Sequence, residues 1–120
     1  MQDISLGVIE AKFADMIWEN APLSSSSLVT LAQEKLEWKK STTYTVLKRL
    51  CDKGLFENND GTVCIKLSRD AFYSQQSQRF VEENFQGSLP AFLAAFTGGK
   101  RLSAKEVAEL RRLVQEHEEE

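Results

Sequence analysis

The chain has 120 residues, 42% of them hydrophobic and 28% charged, with a formal net charge of −3. That size and composition suit one domain, or one small domain with an appendage, and exclude a membrane protein, because no apolar run approaches the roughly 20 residues a bilayer span needs. Cys51, Cys64 and the lone His117 are too few and too scattered for a metal framework. Both cysteines are expected to serve as small buried hydrophobes, with a redox pair as the weaker alternative. The start Met1-Gln2-Asp3 lacks a basic region followed by an apolar stretch, so no signal peptide is expected and the protein is placed in the cytoplasm.

In chain order, the spacing predicts a first helix from about Leu6 to Asn20, capped by Ser5, with Ile9, Phe13, Met16 and Ile17 as its apolar stripe. Asn20-Ala21-Pro22 ends it, and Leu23 beside the serine run Ser24–Ser27 reads as a short strand or extended link. A second helix follows from Ser25 or Ser26 to Leu36, with serine hydroxyls at its start and Leu28, Val29, Leu31, Ala32 and Leu36 on its buried side. The turn Glu37-Trp38-Lys39-Lys40 leads to a third helix, Ser41 to Lys53. Trp38 is expected to pack at the turn rather than stack on a base.

The third helix has two unlike faces. Val46, Leu47, Leu50 and Cys51 recur at helical spacing and need a core. Ser41, Thr42, Thr43, Tyr44, Thr45, Lys48 and Arg49 crowd its start and opposite side. Gly54 is placed to end it in a left-handed cap. Leu55-Phe56-Glu57 and Val63–Leu67 then read as two strands, joined by the hairpin signal Asn58-Asn59-Asp60-Gly61. Helix followed at once by hairpin is the order of a winged helix-turn-helix.

Ser68-Arg69-Asp70 restarts helix through about Gln86, with Phe72, Tyr73, Gln76, Phe80 and Phe85 on a mixed face. Gly87-Ser88-Leu89-Pro90 breaks it and opens a fifth helix, with Ser88 as cap and Pro90 in the first turn. Leu89, Phe92, Leu93 and Phe96 form the apolar side of that helix. After the loop Thr97–Arg101, Ser103-Ala104-Lys105-Glu106 has the capping-box form and opens a sixth helix carrying Val107, Leu110, Leu113 and Val114, which frays from Glu116 to Glu120.

The expected fold is therefore mainly α with a small β-hairpin wing. Residues 1–68 form a winged-helix DNA-binding domain and residues 69–120 a helical dimerisation region. The last three helices are too few and too amphipathic to make a core alone, so Phe80, Phe92, Phe96, Val107, Leu110 and Val114 are expected to pair with a second copy of the chain. The alternatives are return of these helices onto the winged domain, or aromatics lining a ligand pocket.

Charge is unevenly distributed. From Lys35 to Lys53 six cations face two acids, and from Ser103 to Glu120 six acids face three cations. A basic face on an acidic protein still binds phosphates, in a salt-sensitive way. Hydroxyls bond base edges or phosphates and cations neutralise phosphates. Lys39, Lys40, Ser41, Thr42, Thr43, Tyr44, Thr45 and Lys48 are therefore the candidate contacts to double-stranded DNA. Asn58, Asn59 and Lys66 are candidates in the wing, against plain turn chemistry for the two asparagines. One histidine, no Gly-rich phosphate loop and no paired carboxylates leave nothing for an enzyme, and no metal or cofactor is implied. The rival class is a winged-helix adaptor that binds proteins without specific DNA binding.

Met16-Ile17-Trp18-Glu19, the run from Trp38 to Leu50, Gly54-Leu55, Leu93-Ala94-Ala95-Phe96 and Leu102 to Leu110 together resemble the penicillinase-repressor family over nearly the whole chain. The resemblance implies a dimeric winged-helix repressor that binds an inverted-repeat operator, with recognition residues at Ser41, Thr42 and Tyr44 and with Lys39 and Lys40 near phosphates. It also implies two release routes, and the sequence departs from both. Members that respond to β-lactams are cleaved at an Asn-Phe bond through a sensor metalloprotease. The matching bond here is Ala95-Phe96, where the Phe is kept and the Asn is absent. Copper-responsive members carry C-terminal Cys-x-Cys motifs, and this chain has no cysteine after Cys64.

Overall fold

The computed structural model describes residues 6–119. Its elements are α1 (Val8–Asn20), β1 (Leu23–Ser24), α2 (Ser25–Leu36), α3 (Lys40–Asp52), β2 (Phe56–Asn59), β3 (Thr62–Ile65), α4 (Arg69–Phe85), α5 (Leu89–Thr97) and α6 (Ala104–Glu116). The expected Ser5 cap lies outside the described residues. The helix starts later than the spacing predicts, with Gly7 at its cap position, where the Glu10 side chain accepts from the Gly7 N–H at 3.5 Å.

The three strands form one antiparallel sheet in the order β1-β3-β2. Leu23 pairs with Val63, and Phe56 with Ile65. The β2–β3 hairpin turns on Asp60 and Gly61, at φ 51° and 90°. Those are the positive values that a tight two-residue hairpin turn requires, which is why Asp-Gly suits it. The strand bounds differ from the sequence reading because this short turn lets pairing continue through Asn58 and Asn59 to Thr62. Leu55 and Lys66, expected inside strands, stand just outside them, and the N–H of Lys66 bonds the Leu55 carbonyl at 2.9 Å.

Local hydrogen bonds set the helix ends. Ser24 caps α2, its hydroxyl accepting from the Ser27 N–H at 3.0 Å. Glu37 leaves α2 in the left-handed conformation, at φ 56°. Gly54, at φ 89°, reverses the chain after α3 and lets the Leu55 N–H reach the Leu50 carbonyl at 3.1 Å.

The core is Phe13, Ala14, Met16 and Ile17 from α1, Leu28 and Ala32 from α2, Val46, Leu47 and Leu50 from α3, then Leu55, Phe56, Val63 and Phe72. Trp18 packs at its margin with ring centroids 5.3 Å from Phe56 and 5.7 Å from Phe72. Its indole N–H donates to the Leu67 carbonyl at 3.0 Å, satisfying the ring's one polar atom. Trp38 packs on Phe13 at 4.9 Å, as expected of a turn residue. Ile9, placed in the apolar stripe by its spacing, is 49% exposed, because α1 enters the core only from Phe13 onward. Cys51 and Cys64 are half-buried rather than buried.

The chain divides into two compact units, one ending at Ser77 and the other starting at Gln78, so the division falls inside α4. The first turns of α4 belong to the winged unit through Phe72. Within the second unit, Phe80, Phe85, Phe92 and Phe96 form a chain of ring contacts, with successive centroids 5.6 to 6.1 Å apart through Phe92. Ser88 caps α5, accepting from the Ala91 N–H at 3.1 Å. Ser103 and Glu106 close the expected capping box on α6 at 3.1 and 3.2 Å.

Truncating a fully enclosed ring should be far costlier than trimming the exposed stripe residue. Phe13→Ala is expected to lower unfolding free energy by about 3–5 kcal/mol. Ile9→Ala should change it by less than about 0.5 kcal/mol. Urea unfolding followed by tryptophan fluorescence measures both.

Candidate nucleic-acid interface

Burial of one side of α3 decides what the other side presents. Thr43, Val46, Leu47 and Leu50 are buried, and Lys40, Ser41, Thr42, Thr45, Lys48 and Arg49 are exposed. Thr43 therefore does not join its neighbours in facing solvent. It is 1% exposed, and its hydroxyl donates to the Lys39 carbonyl at 3.1 Å, one turn back. That bond satisfies the hydroxyl and lets a threonine sit in the core. Thr45 makes the same bond to the Ser41 carbonyl at 2.9 Å but stays on the exposed face. Tyr44 is half-buried, and its hydroxyl donates to Ser25 Oγ on α2 at 3.1 Å.

The N-terminus of α3 is unusually positive. Lys39 is at the cap position without a side-chain cap bond, Lys40 opens the helix, and the first turn contains no acid. The first amide groups of a helix lack partners within it, and the helix dipole adds positive potential there. Two lysines at that end do nothing for the isolated helix, yet they suit an approaching phosphate. Among the described residues neither Lys39 nor Lys40 has an ion-pair partner.

The other cations of the segment are partly neutralised. Lys48 pairs with Asp52 at 3.3 Å across an exposed surface, a contact worth little in water. Arg49 reaches Glu10 of α1 at 3.1 Å. Burial pushes the Glu10 carboxyl up, but the Arg49 hydrogen bond, the Gly7 N–H and the charges of Lys53 and Arg49 outweigh it, and the carboxyl lies below its ordinary range. Sequence reasoning missed Glu10, because nothing local links it to a residue 39 positions away.

In the wing, Asn58 Oδ1 accepts from the Gly61 N–H at 3.0 Å and Asn59 donates to Glu57 at 3.0 Å. Both asparagines thus have partners within the hairpin. Lys66 lines a groove between α3 and the wing together with Tyr44, Lys48, Cys51, Phe56 and Glu57. Burial, then the charges of Asp52 and Glu57, raise the Cys51 thiol, which holds it protonated and unreactive at neutral pH.

The residues proposed for pairing between copies lie together in the second unit. Phe92, Leu93 and Phe96 of α5 and Leu110 and Leu113 of α6 line one apolar groove. Val107, Leu110 and Val114 line a shallower hollow. No side chain of α5 or α6 is buried, and Phe80, Phe96 and Val114 are 49%, 52% and 62% exposed. The Ala95–Phe96 bond lies in the last turn of α5, not in a loop.

A three-helix core with a hairpin beside the third helix, and a polar, basic outer face on that helix, define a winged helix-turn-helix DNA-binding protein. The sequence profile of the penicillinase repressor family matches residues 6–116. A penicillinase repressor from Bacillus licheniformis is 23% identical over 112 residues, covering 90% of this chain and 88% of its own length. The chain belongs to the penicillinase repressor family; it is a DNA-binding transcriptional repressor and not an enzyme. Among the described residues no helix is long and apolar enough to cross a membrane, and no cluster of His, Cys, Asp and Glu has the makings of a metal site.

The lowered Glu10 carboxyl has a pH consequence. A carboxyl depressed in the folded state adds stability that is present above its unfolded pKa and is lost as pH falls through the folded one. Glu10→Gln should therefore be less stable than wild type near neutral pH, and the gap should close as pH falls through the acid range. Urea midpoints taken over a pH series measure this.

Proposed function

We propose that the protein is a homodimer that represses transcription by seating α3 of each protomer in successive major grooves of a palindromic operator. The observation that carries this reading is the acid-free, doubly lysine-bearing start of α3, directly followed by exposed Ser41, Thr42 and Thr45. Lys39 and Lys40 contact phosphates, while Ser41, Thr42, Tyr44 and Thr45 supply base and sugar contacts. Lys48, held loosely by Asp52, is released to a phosphate. Thr43 acts from within the core by fixing the first turn. Two-fold symmetry places the half-sites about one helical turn apart, ~34–36 Å. The site of action is wherever the operator DNA lies, the cytoplasm in a bacterial cell.

Residues 1–68 carry the DNA-binding role and residues 69–120 the dimerising one, with the start of α4 also completing the winged core. The apolar groove of α5 and α6 supports pairing, because two short helices with no buried side chain need a cover. Release by a sensor metalloprotease is not favoured. The Asn is replaced by Ala95, and the bond lies within hydrogen-bonded helix.

Fluorescence anisotropy with upstream promoter DNA over a range of salt tests the contacts. Replacing both Lys39 and Lys40 by Ala should weaken binding to all sequences and make the log–log salt slope shallower by about 2, one unit per lost phosphate contact. An unchanged slope would take the start of α3 off the DNA.

Sedimentation tests the pairing. Phe96→Glu with Val114→Asp changes side chains already exposed in one copy, so each chain should still fold. The variant should sediment as a monomer and lose more than about tenfold in operator affinity, since its half-sites are no longer engaged as one unit. A dimer of unchanged mass would remove this face from the interface.

A further inference from the structure

Ser25 stands where three elements meet. It is the first residue of α2, and its N–H donates to the carbonyl of Gly61 in the wing's turn at 2.7 Å. Its hydroxyl accepts from Tyr44 of α3 at 3.1 Å, across 19 positions of sequence. The wing's turn also approaches that hydroxyl, since a Cβ built on Gly61 would lie 3.9 Å from Ser25 Oγ. One serine thus ties the start of α2 to both parts of the DNA-facing surface.

Tyr44 differs from the other polar residues of α3. Ser41, Thr42 and Thr45 are exposed, whereas the Tyr44 ring is half-buried and borders the groove between α3 and the wing, opposite Lys66. With its hydroxyl bound to Ser25, what the ring offers outward is its apolar edge. An apolar edge in a major groove distinguishes thymine, whose methyl group projects there. A tyrosine without the tether would swing about its side-chain torsions and present either hydroxyl or edge.

We propose that Ser25, which lies outside the recognition helix, is a positioning residue for operator specificity, fixing through one hydrogen bond the pose in which Tyr44 meets the bases. The proposal rests on the operator-binding reading above.

The test is selection of binding sites from a pool of randomised DNA duplexes, using the full chain as wild type, Ser25→Ala, Tyr44→Phe, the double variant and Ser25→Thr. Ser25→Ala and Tyr44→Phe break the same bond from opposite ends. Both should shift preference at the same base positions of each half-site and weaken the wild-type site by roughly three- to tenfold, the range for one hydrogen bond. The double variant should lose no more than either single one, as expected of residues acting as a unit. Ser25→Thr keeps a hydroxyl and should restore the wild-type preference.

Preference unchanged in both single variants, with only the melting temperature lowered, would overturn the proposal and leave Ser25 a structural role. Shifts at different base positions, or losses that add in the double variant, would also overturn it. If Ser25→Ala does not fold, Tyr44→Phe decides alone, and unchanged preference there overturns the proposal. Wild-type protein that selects no sequence would overturn the operator reading, and this proposal with it.

Discussion

Everything the protein can present to DNA depends on the burial of one side of α3. Thr43, Val46, Leu47 and Leu50 recur at helical spacing and enter a core built on Phe13, Ile17, Leu28 and Phe56. With about 100° between successive residues, fixing those four leaves Ser41, Thr42, Thr45, Lys48 and Arg49 on the outside. The outer face needs no interactions of its own to be set. It follows from apolar burial, the largest favourable contribution to folding. This is why hydroxyls and cations that add little stability are tolerated there.

Electrostatics then selects among the outward groups. The segment from Lys35 to Lys53 is rich in cations on a chain of net charge −3. Arg49 is committed to Glu10, and Lys48 leans on Asp52. The positive potential therefore concentrates at the start of α3, where Lys39, Lys40 and the helix dipole act in one direction. A basic end on an acidic molecule favours approach in one orientation, which net charge alone does not convey.

Much of this was legible in the sequence, for reasons that can be named. Helices α2 to α6 follow from apolar spacing and from local chemistry that acts within a few residues: Ser88 and Ser103 as caps, Gly54 after α3, Asp60-Gly61 in the hairpin. The failures share the opposite character. Thr43 was read with its polar neighbours, because periodicity counts a hydroxyl as solvent-seeking. Its bond to the Lys39 carbonyl removes that need. Ile9 has the right spacing but lies in a turn of α1 that the core does not cover. The contacts Tyr44–Ser25 and Arg49–Glu10 join residues far apart in the chain, and no local pattern announces them. The pairing of Leu23 with Val63 sits between these cases. The strand was legible as an extended link, but its partner was not.

The second unit shows how unspent surface carries information. α5 and α6 have 9 and 13 residues, lengths at which isolated helices are marginal in water. Their caps are well made, with Ser88, Pro90 and the Ser103–Glu106 box all in place, so the ends are specified even though no side chain between them is buried. Caps contribute about 1 kcal/mol each, too little to offset the chain entropy of ordering two helices. The Phe80–Phe85–Phe92–Phe96 contacts supply part of the deficit within one copy. The remainder is apolar area on Phe96, Leu113 and Val114 that still faces water. Covering it would stabilise the helices by about 25 cal/mol for each Å² removed from water. A second copy supplies a surface of the same chemistry, and closed two-fold pairing is the arrangement that would place two α3 helices symmetrically on DNA.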